Sequence, residues 1–192
     1  MKIPVEVSAR HAHLSKKDLE KLFGESYELK VRKQLTQPSD FACQETISIA
    51  IANKEDSCIL ENIRIVGPVR KETQVEISLT DAFKLGIVVP IRLSGDLAGS
   101  SPVKIIGPAG QVELEKGLII AKRHIHCSEK EAKELGLKNS QIVSVGVEGE
   151  RKTTFYNIVV RTGKNYKLCL HLDTDEGNAA GINKIGEGEI LI

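Results

Sequence analysis

The chain has few aromatic residues and no tryptophan. Among its 192 residues are three tyrosines and four phenylalanines. Isoleucine and valine are abundant instead, and such β-branched residues favour strands. At this length the chain can build one large or two small domains, each with its own hydrophobic core. We therefore expect a β-rich protein whose cores are aliphatic.

An excess of charge of one sign is also missing. The 27 lysine and arginine residues nearly balance the 26 aspartate and glutamate residues, whereas a nucleic-acid-binding protein usually carries a basic surface. No apolar run approaches the roughly 18 residues of a membrane span, and the first residues enter a strand without a signal-peptide pattern. We expect no nucleic-acid partner, no membrane association and a cytoplasmic location.

The four cysteines show no CxxC spacing, which argues against a zinc ribbon or a redox pair. Without a secretion signal, free thiols in a reducing compartment are expected. Cys127 and Cys169 lie near histidines, and we expect both to pack in the core, with Cys169 also kept as a neighbour of a metal. The chain contains neither GxGxxG nor GxxxxGK followed by serine or threonine, which excludes a Rossmann or P-loop nucleotide site.

A four-residue pattern occurs twice, as RHAH at residues 10–13 and as RHIH at residues 123–126. Each copy leads into a predicted helix, because a serine and an acid three residues later form a capping signal and a glycine closes the segment. Residues 16–23 are the first of these helices. The duplicated unit is thus a strand end with two histidines, followed by a short capped helix.

The spacing of the histidines has a geometric meaning. On a strand, residues i and i+2 share a face at roughly 6.5 to 7 Å, so both imidazoles can reach one metal ion. Four of the five histidines lie in the two pairs, and the fifth, His171, ends a strand-like run in KLCLHLDTDEGN. One such pair alone could equally consist of half-buried strand histidines bonded to backbone. The duplication favours metal binding.

Five histidines serve two metal ions if a carboxylate provides the sixth ligand. Three protein ligands per ion, with open positions left over, are typical of catalytic zinc, although cobalt, nickel and iron accept the same ligand types. Arg10, Arg70 and Arg123 offer planar forks for phosphate. These residues together indicate an anionic, oxygen-rich substrate.

Strands with hairpin-like connections make up most of the remaining chain. A strand is predicted at residues 27–31 and another at 74–78, where the pattern alone places Glu76 on the polar, solvated side. The loop SGDLAGSSP at 94–102 is small and flexible enough to pass close to a ligand. We expect a mainly β fold with short α-helices, arranged as barrels or barrel-like sheets.

Several segments together resemble one family. They are VSARHAHLS, NIRIVGPVRKETQVEISLTDAFKLG, SGDLAGS, GLIIAKRHIHCS and HLDTDEGNAAG. In combination, and over almost the whole chain, they are similar to the PduL-type phosphate propanoyltransferases, also called phosphotransacylases. The resemblance implies an acyltransferase that moves a propanoyl or acetyl group between coenzyme A and inorganic phosphate, giving acyl phosphate and free coenzyme A.

The resemblance also implies a fold and a set of site residues. It implies two β-barrel domains, residues 1–10 with 122–192 and residues 11–121, and two zinc ions in a dimetal site between them. The zinc ligands would be His11, His13 and Glu76 for one ion and His124, His126 and His171 for the other. Arg70 would bind phosphate, and coenzyme A would contact Val7, Ser8, Ala9, Lys54, Arg64 and Asn178.

The expected mechanism is direct attack of phosphate on a zinc-polarised thioester, because every histidine is committed to metal and no base is left to activate a serine or cysteine. Two alternatives stay open: a zinc-dependent hydrolase of a thioester or phosphoester, and a non-catalytic metal-binding module. The preferred acyl chain and the oligomeric state, a homo-oligomer included, also stay open. Microcompartment members often carry an N-terminal amphipathic extension that is absent here, so we expect a cytoplasmic protein or one that reaches a bacterial microcompartment lumen by another route.

Overall fold

The computed structural model describes residues 1–51 and 58–191, and these form fourteen strands and four short helices. The helices are α1 (Lys16–Phe23), α2 (Leu79–Leu85), α3 (Glu129–Glu134) and α4 (Thr174–Ala180). The strands are β1 (Lys2–Ser8), β2 (His11–His13), β3 (Val31–Gln34), β4 (Phe41–Ala50), β5 (Leu60–Gly67), β6 (Gln74–Ile77), β7 (Ile91–Arg92), β8 (Ser101–Ile106), β9 (Gln111–Ala121), β10 (His124–Cys127), β11 (Ile142–Val147), β12 (Thr153–Thr162), β13 (Cys169–Asp173) and β14 (Ile185–Leu191). Within the described ranges, no helix has both the length and the apolar character needed to cross a membrane.

The chain divides into two compact units. The terminal barrel comprises Met1–Ala9, Thr36–Pro38 and Lys122–Ile192, and the central barrel comprises Arg10–Leu35 and Ser39–Ala121. The terminal barrel closes in the strand order β1-β13-β10-β12-β11-β14, with β14 paired to β1. The central barrel runs β4-β5-β2-β6-β9-β8, and β8 returns to β4. The predicted mainly β fold with two barrels is confirmed.

The two barrels share one topology. In each, the strand with a histidine pair, β2 or β10, lies between a parallel neighbour, β5 or β12, and an antiparallel neighbour, β6 or β13. A helix follows the histidine strand and another follows the antiparallel neighbour. The duplication that is visible in four residues of sequence therefore extends to the whole barrel.

A strand irregularity is duplicated as well. Asn62 on β5 and Asn157 on β12 both have φ of 58°, in the left-handed region that asparagine tolerates better than most residues. Both lie where the register shifts against the neighbouring strand, which marks a β-bulge. In each barrel the asparagine lies two residues before the residue that pairs with the first histidine. These paired residues are Arg64, opposite His11, and Val159, opposite His124.

Aliphatic side chains fill each barrel, as the composition predicts. Ile49, Ile63 and Leu118 are fully buried in the central barrel, and Ile125 and Ile158 in the terminal barrel. Alternate residues of each strand face the interior, so the isoleucine- and valine-rich strands supply two separate cores. The rigidity of a close-packed core is what keeps the strand ends, where the histidines lie, in fixed positions.

The helix starts follow the predicted capping signals. The hydroxyl of Ser15 accepts the backbone N–H of Asp18, and that of Ser128 accepts the N–H of Glu131, both at 3.2 Å. At α3 the capping box is complete, because Glu131 accepts the Ser128 N–H at 2.8 Å. At α1 the Ser15 N–H instead goes to the hydroxyl of Thr73 at 2.8 Å, and Asp18 accepts the hydroxyls of both residues.

The strand predicted at residues 27–31 is wrong except for its last residue, since β3 begins at Val31. The carboxylate of Glu45 accepts the hydroxyl of Tyr27 at 2.9 Å and the backbone N–H of Lys30 at 3.2 Å. A side chain thus takes the donor that a strand ladder would use. Periodicity along one segment carries no information about such a distant partner.

Candidate metal centres

Three predicted ligands of the central barrel lie on two neighbouring strands. His11 is opposite Glu76 in the antiparallel register of β2 and β6, and His13 lies two residues further along β2. Ligand atoms of all three residues lie within 4.8 Å of one another, and His11 Nε2 is 3.6 Å from Glu76 Oε2. Glu76 is buried, with 7% of its surface exposed, so the expectation from the strand pattern that it is solvated is wrong.

His13 is held in one orientation and one protonation state. Its Nδ1 lies 2.9 Å from the carbonyl oxygen of Val66, which can only accept, so Nδ1 carries the proton and Nε2 the lone pair. Burial, together with the charges of His11 and Arg70, lowers the pKa of His13 to about 3. Neutral imidazole is the form that binds a metal ion.

A glutamine on the same strand face as Glu76 connects it to a loop. Gln74 Nε2 donates to Glu76 Oε1 at 2.6 Å and to Ser94 Oγ at 3.0 Å, and Gln74 Oε1 accepts the Gly95 N–H at 2.7 Å. Sequence reasoning missed Gln74 and Ser94. The signal for Gln74 is its spacing of two from Glu76, which puts both on one strand face. Ser94 begins the loop that the sequence predicts to pass close to a ligand.

Arg70 lies beside this cluster, in the turn after β5. Its backbone N–H donates to the carbonyl of Leu14 at 2.9 Å, which ties the turn to the end of the histidine strand. Its Nη1 donates to Ser94 Oγ at 3.3 Å, and its charge lowers the pKa of His13. A cationic fork and three candidate metal ligands therefore occur together in the central barrel.

The other three predicted ligands come together in the terminal barrel. His124 is opposite His171 in the antiparallel register of β10 and β13, and their ligand atoms and one of His126 lie within 4.8 Å of one another. The ring centroids of His126 are 4.5 Å from His124 and 5.0 Å from His171. His124 Nδ1 lies 2.9 Å from the Lys122 carbonyl oxygen, so its proton is on Nδ1 and its lone pair on Nε2.

Two neighbours of this cluster were not predicted. The ring of Tyr166 lies over His126 with centroids 4.1 Å apart. Gln37 is buried, with its Nε2 3.3 Å from His171 Nε2 and 2.9 Å from the Lys167 carbonyl oxygen. Gln37 Oε1 also accepts the Lys167 N–H at 3.1 Å. Because Gln37 is so far from His171 in the chain, no local pattern could have indicated this contact.

The cysteines near the histidines pack in the core, which confirms that expectation. Cys127 and Cys169 are buried. Burial raises the pKa of Cys169 to about 12 and also raises the pKa of Cys127. Cys169 does lie in a second group with His171 and Glu6, in which Glu6 Oε2 is 3.9 Å from His171 Nδ1.

The arginine of each RHxH copy pairs with an acid of its own barrel. Arg10 contacts Asp81, and Arg123 Nη1 lies 3.1 Å from Glu176 Oε1. Asp81 and Glu176 are the capping-box acids of α2 and α4. Arg123 also lies over the ring of Phe155, 5.4 Å from its centroid. Each pair ties the strand with two histidines to the helix that follows the third candidate ligand.

Both clusters fit a divalent metal ion. Their donors are imidazole nitrogens and one carboxylate, the types that zinc takes in catalytic sites. Backbone carbonyls fix His13 and His124 with Nε2 unprotonated, and such second contacts are usual for metal-binding histidines. Three donors per cluster leave coordination positions for a substrate.

Of the predicted coenzyme A contacts in the terminal barrel, two lie on β1, Ala9 directly follows β1, and Asn178 lies on α4. Val7 and Ser8 pair with β13, and Ala9 and Asn178 are exposed. Gly177 packs on Val7, because a Cβ at Gly177 would lie 2.6 Å from Val7 Cγ2. The start of the chain and α4 are thus in contact.

The remaining two predicted coenzyme A contacts are Arg64 and Lys54. Arg64 belongs to the central barrel, where its Nη1 donates to the carbonyls of Gln44 at 2.7 Å and Cys43 at 3.2 Å. Lys54 lies outside the described residues.

Comparison with known proteins gives one consistent result. The family model described as phosphate propanoyltransferase matches residues 4–183. A phosphate propanoyltransferase of Thermotoga maritima is 52% identical over 182 residues, covering 94% of this chain and 85% of the relative. That of Lachnoclostridium phytofermentans is 48% identical over 189 residues, covering 98% and 85%, and that of Clostridioides difficile is 46% identical over 182 residues, covering 95% and 85%. The matched range contains all six candidate metal ligands.

Proposed function

Because the chain belongs to the phosphate propanoyltransferase family, we propose that it moves a propanoyl or acetyl group between coenzyme A and inorganic phosphate by direct attack of phosphate on the thioester. The enzyme is a phosphotransacylase. The observation that carries the detailed proposal is the three-donor cluster of the central barrel, linked through Gln74 and Ser94 to Arg70.

Each barrel would hold one zinc ion. His11, His13 and Glu76 would be the ligands in the central barrel, and His124, His126 and His171 in the terminal barrel. When bound, the ions would supply Lewis acidity that polarises the thioester carbonyl and stabilises the negative charge developing on its oxygen.

Arg70 would bind and orient phosphate. A guanidinium offers parallel N–H donors to two phosphate oxygens, and the contact with Ser94 holds one edge of the fork in place. Neutral His13 beside Arg70 adds no competing positive charge. Binding orients the attacking oxygen toward the carbonyl carbon. The translational and rotational entropy of phosphate is then lost on binding and no longer adds to the barrier of the chemical step.

The direct route is supported by the state of the thiols. In a covalent route a cysteine thiolate would attack the acyl carbon first. Burial raises the pKa of Cys43, Cys127 and Cys169 and keeps these thiols protonated. In the direct route a phosphate oxygen bonds to the acyl carbon, the carbon–sulfur bond breaks, and coenzyme A leaves as a thiolate that takes up a proton.

Coenzyme A would bind through backbone groups of Val7, Ser8 and Ala9 and through Asn178. The packing of Gly177 on Val7 supports a common surface for these residues. Arg64 would contribute its guanidinium, and Lys54 is retained as a further contact by the sequence resemblance alone. A microcompartment location and a homo-oligomer likewise stay predictions.

The alternatives are weaker. The relatives that match nearly the whole chain are named phosphate propanoyltransferases, and this name does not favour a hydrolase. Membership of an enzyme family likewise does not favour a non-catalytic metal-binding module.

The test is thiol release from acetyl- and propionyl-coenzyme A by the zinc-loaded protein, with and without phosphate. The signal is corrected for the four cysteines of the chain. We expect release that requires phosphate, disappears with a chelator and gives acyl phosphate in equal amount. Equal release without phosphate would establish a hydrolase, and a trapped acyl-cysteine would overturn direct attack.

A further inference from the structure

A single buried amide connects the candidate metal cluster of the central barrel to the loop beside Arg70. We propose that Gln74 is a positioning residue: it holds Glu76 in its metal-binding orientation and fixes Ser94, and through Ser94 the guanidinium of Arg70. This inference rests on the proposed function, since it assigns a role in the same site. Gln74 would not touch the reacting atoms itself.

The amide is fully used and its orientation is determined. Gln74 is 2% exposed. Its two N–H groups go to Glu76 Oε1 and Ser94 Oγ, and its oxygen accepts the Gly95 N–H. A flipped amide would set its oxygen against the Glu76 carboxylate and its NH2 group against the Gly95 N–H, so only one orientation satisfies every partner.

The bond from Gln74 decides which oxygen of Glu76 faces the histidines. Oε1 receives the amide N–H at 2.6 Å, while Oε2 is the oxygen 3.6 Å from His11 Nε2. Glu76 is buried, so water cannot replace the amide as the partner of Oε1. The amide N–H thus keeps the carboxylate turned with Oε2 toward His11.

The other side of the amide fixes the loop. Gly95 has φ of +94°, a conformation that side-chain-bearing residues rarely adopt, and its N–H points at Gln74 Oε1. The turn is closed by the Asp96 N–H donating to the Leu93 carbonyl at 2.9 Å. Ser94 is therefore held where its hydroxyl accepts from both Gln74 and Arg70.

Gln74→Met keeps the side-chain length but removes every hydrogen bond, and Ser94→Ala removes only the loop half. Zinc affinity is measured by letting the full chain compete for zinc with a chromogenic chelator. In this assay Gln74→Met should lower the zinc affinity of one of the two sites by about 10- to 100-fold, the usual effect of losing a second contact to a metal ligand. It should also raise the KM for phosphate. Ser94→Ala should raise the KM for phosphate and leave both zinc affinities unchanged.

Thr73→Val is the matched control. Thr73 is the buried neighbour that donates to Asp18 instead of to the cluster, so its loss destabilises the same region without touching Glu76. Gln74→Asn provides a second variant, because it retains a buried amide but is one methylene too short to reach Glu76, and it should reproduce the loss of zinc affinity. Wild-type zinc affinities in Gln74→Met or in Gln74→Asn, or a loss no greater than in Thr73→Val, would overturn the inference.

Failure of the proposed function is recognised separately, in the wild-type protein. If the wild type binds fewer than two zinc ions or shows no phosphate-dependent thiol release, the proposed function fails. If the wild type does both and Gln74→Met behaves like it, only the role of Gln74 fails.

Discussion

His11 faces Glu76 across β2 and β6 at the position where, in the other barrel, His124 faces His171 across β10 and β13. A carboxylate and an imidazole therefore occupy equivalent places in two barrels of the same topology. The two clusters are versions of one arrangement, in which a histidine pair on one strand meets a third donor on its antiparallel neighbour.

This equivalence predicts which substitutions at Glu76 are tolerated. Glu76→Ala should reduce the zinc content from two ions to one per chain and lower kcat by at least about 100-fold, the scale of losing a group that stabilises developing charge. Glu76→His should retain two ions, because the terminal barrel uses histidine at this place. Metal analysis of the dialysed proteins checks both, and a Glu76→His protein with a single ion would contradict the equivalence.

Arg70 should act on phosphate and not on coenzyme A. A hydrogen bond to a charged group contributes about 1.5 to 3 kcal/mol, so Arg70→Ala should raise the KM for phosphate by roughly 10- to 150-fold. The KM for acyl-coenzyme A should stay within about twofold. Arg92→Ala is the control, since Arg92 pairs with Asp96 in the neighbouring loop and its loss should leave the KM for phosphate unchanged. A phosphate KM that is equal in Arg70→Ala and wild type would remove Arg70 from the site.

Glu176 should make stability fall as pH rises. Burial and the charge of Asp173 raise its pKa to about 7 from 4.5, against the opposing effect of Arg123, with Asp175 adding a smaller raising effect. Because the folded-state pKa is the higher one, the folded protein holds the extra proton between these values, and stability is lost as pH rises through about 7. The side chain at this position in the Glu176→Gln variant cannot ionise. As pH rises through this range, the free energy of unfolding of the variant should therefore increase relative to that of the wild type, by up to about 3 kcal/mol.

Urea unfolding of the metal-free proteins at several pH values measures this difference. Glu131→Gln is a control of opposite sign: burial alone would raise the pKa of Glu131, but hydrogen bonds from Ser128 and Leu168 hold it below its ordinary value. That variant should lose stability relative to wild type as pH rises through the range where Glu131 ionises. If the free energies of unfolding of wild type and Glu176→Gln changed in parallel with pH, the pKa of Glu176 would not be raised in the folded protein.

Local sequence patterns predict a large part of this fold. The histidine pairs, the capping serines Ser15 and Ser128 and the β-branched strands all express short-range rules, and they lead to a mainly β protein with capped helices. A longer comparison of the two units could also have indicated Glu76 as the counterpart of His171. Glu76 lies two residues before Ser78, the N-cap of α2, and His171 lies two residues before Asp173, the N-cap of α4.

What the patterns miss depends on distant partners. Glu76 looks solvated by strand alternation, yet barrel closure buries it. The contacts of Gln74 with Ser94 and of Gln37 with His171 join residues 20 and 134 positions apart. No propensity or periodicity encodes such a pair, since both partners are ordinary polar residues until the strands are assembled.

Gly177 should contribute to the affinity for acyl-coenzyme A. Replacing glycine by alanine within a helix normally gains up to about 1 kcal/mol, but a Cβ here would lie 2.6 Å from Val7 Cγ2 and 3.0 Å from the carbonyl oxygen of Ile182. Overpacking of this kind costs about 1 to 3 kcal/mol, so it outweighs the helix gain. Gly177→Ala should lower the free energy of unfolding and, by moving α4 off Val7, raise the KM for acyl-coenzyme A severalfold more than the KM for phosphate.

Gly146→Ala, whose Cβ would meet only ordinary contacts at 3.6 Å and beyond, should change neither constant. Equal increases in both KM values for Gly177→Ala would mean that α4 has no specific part in coenzyme A binding.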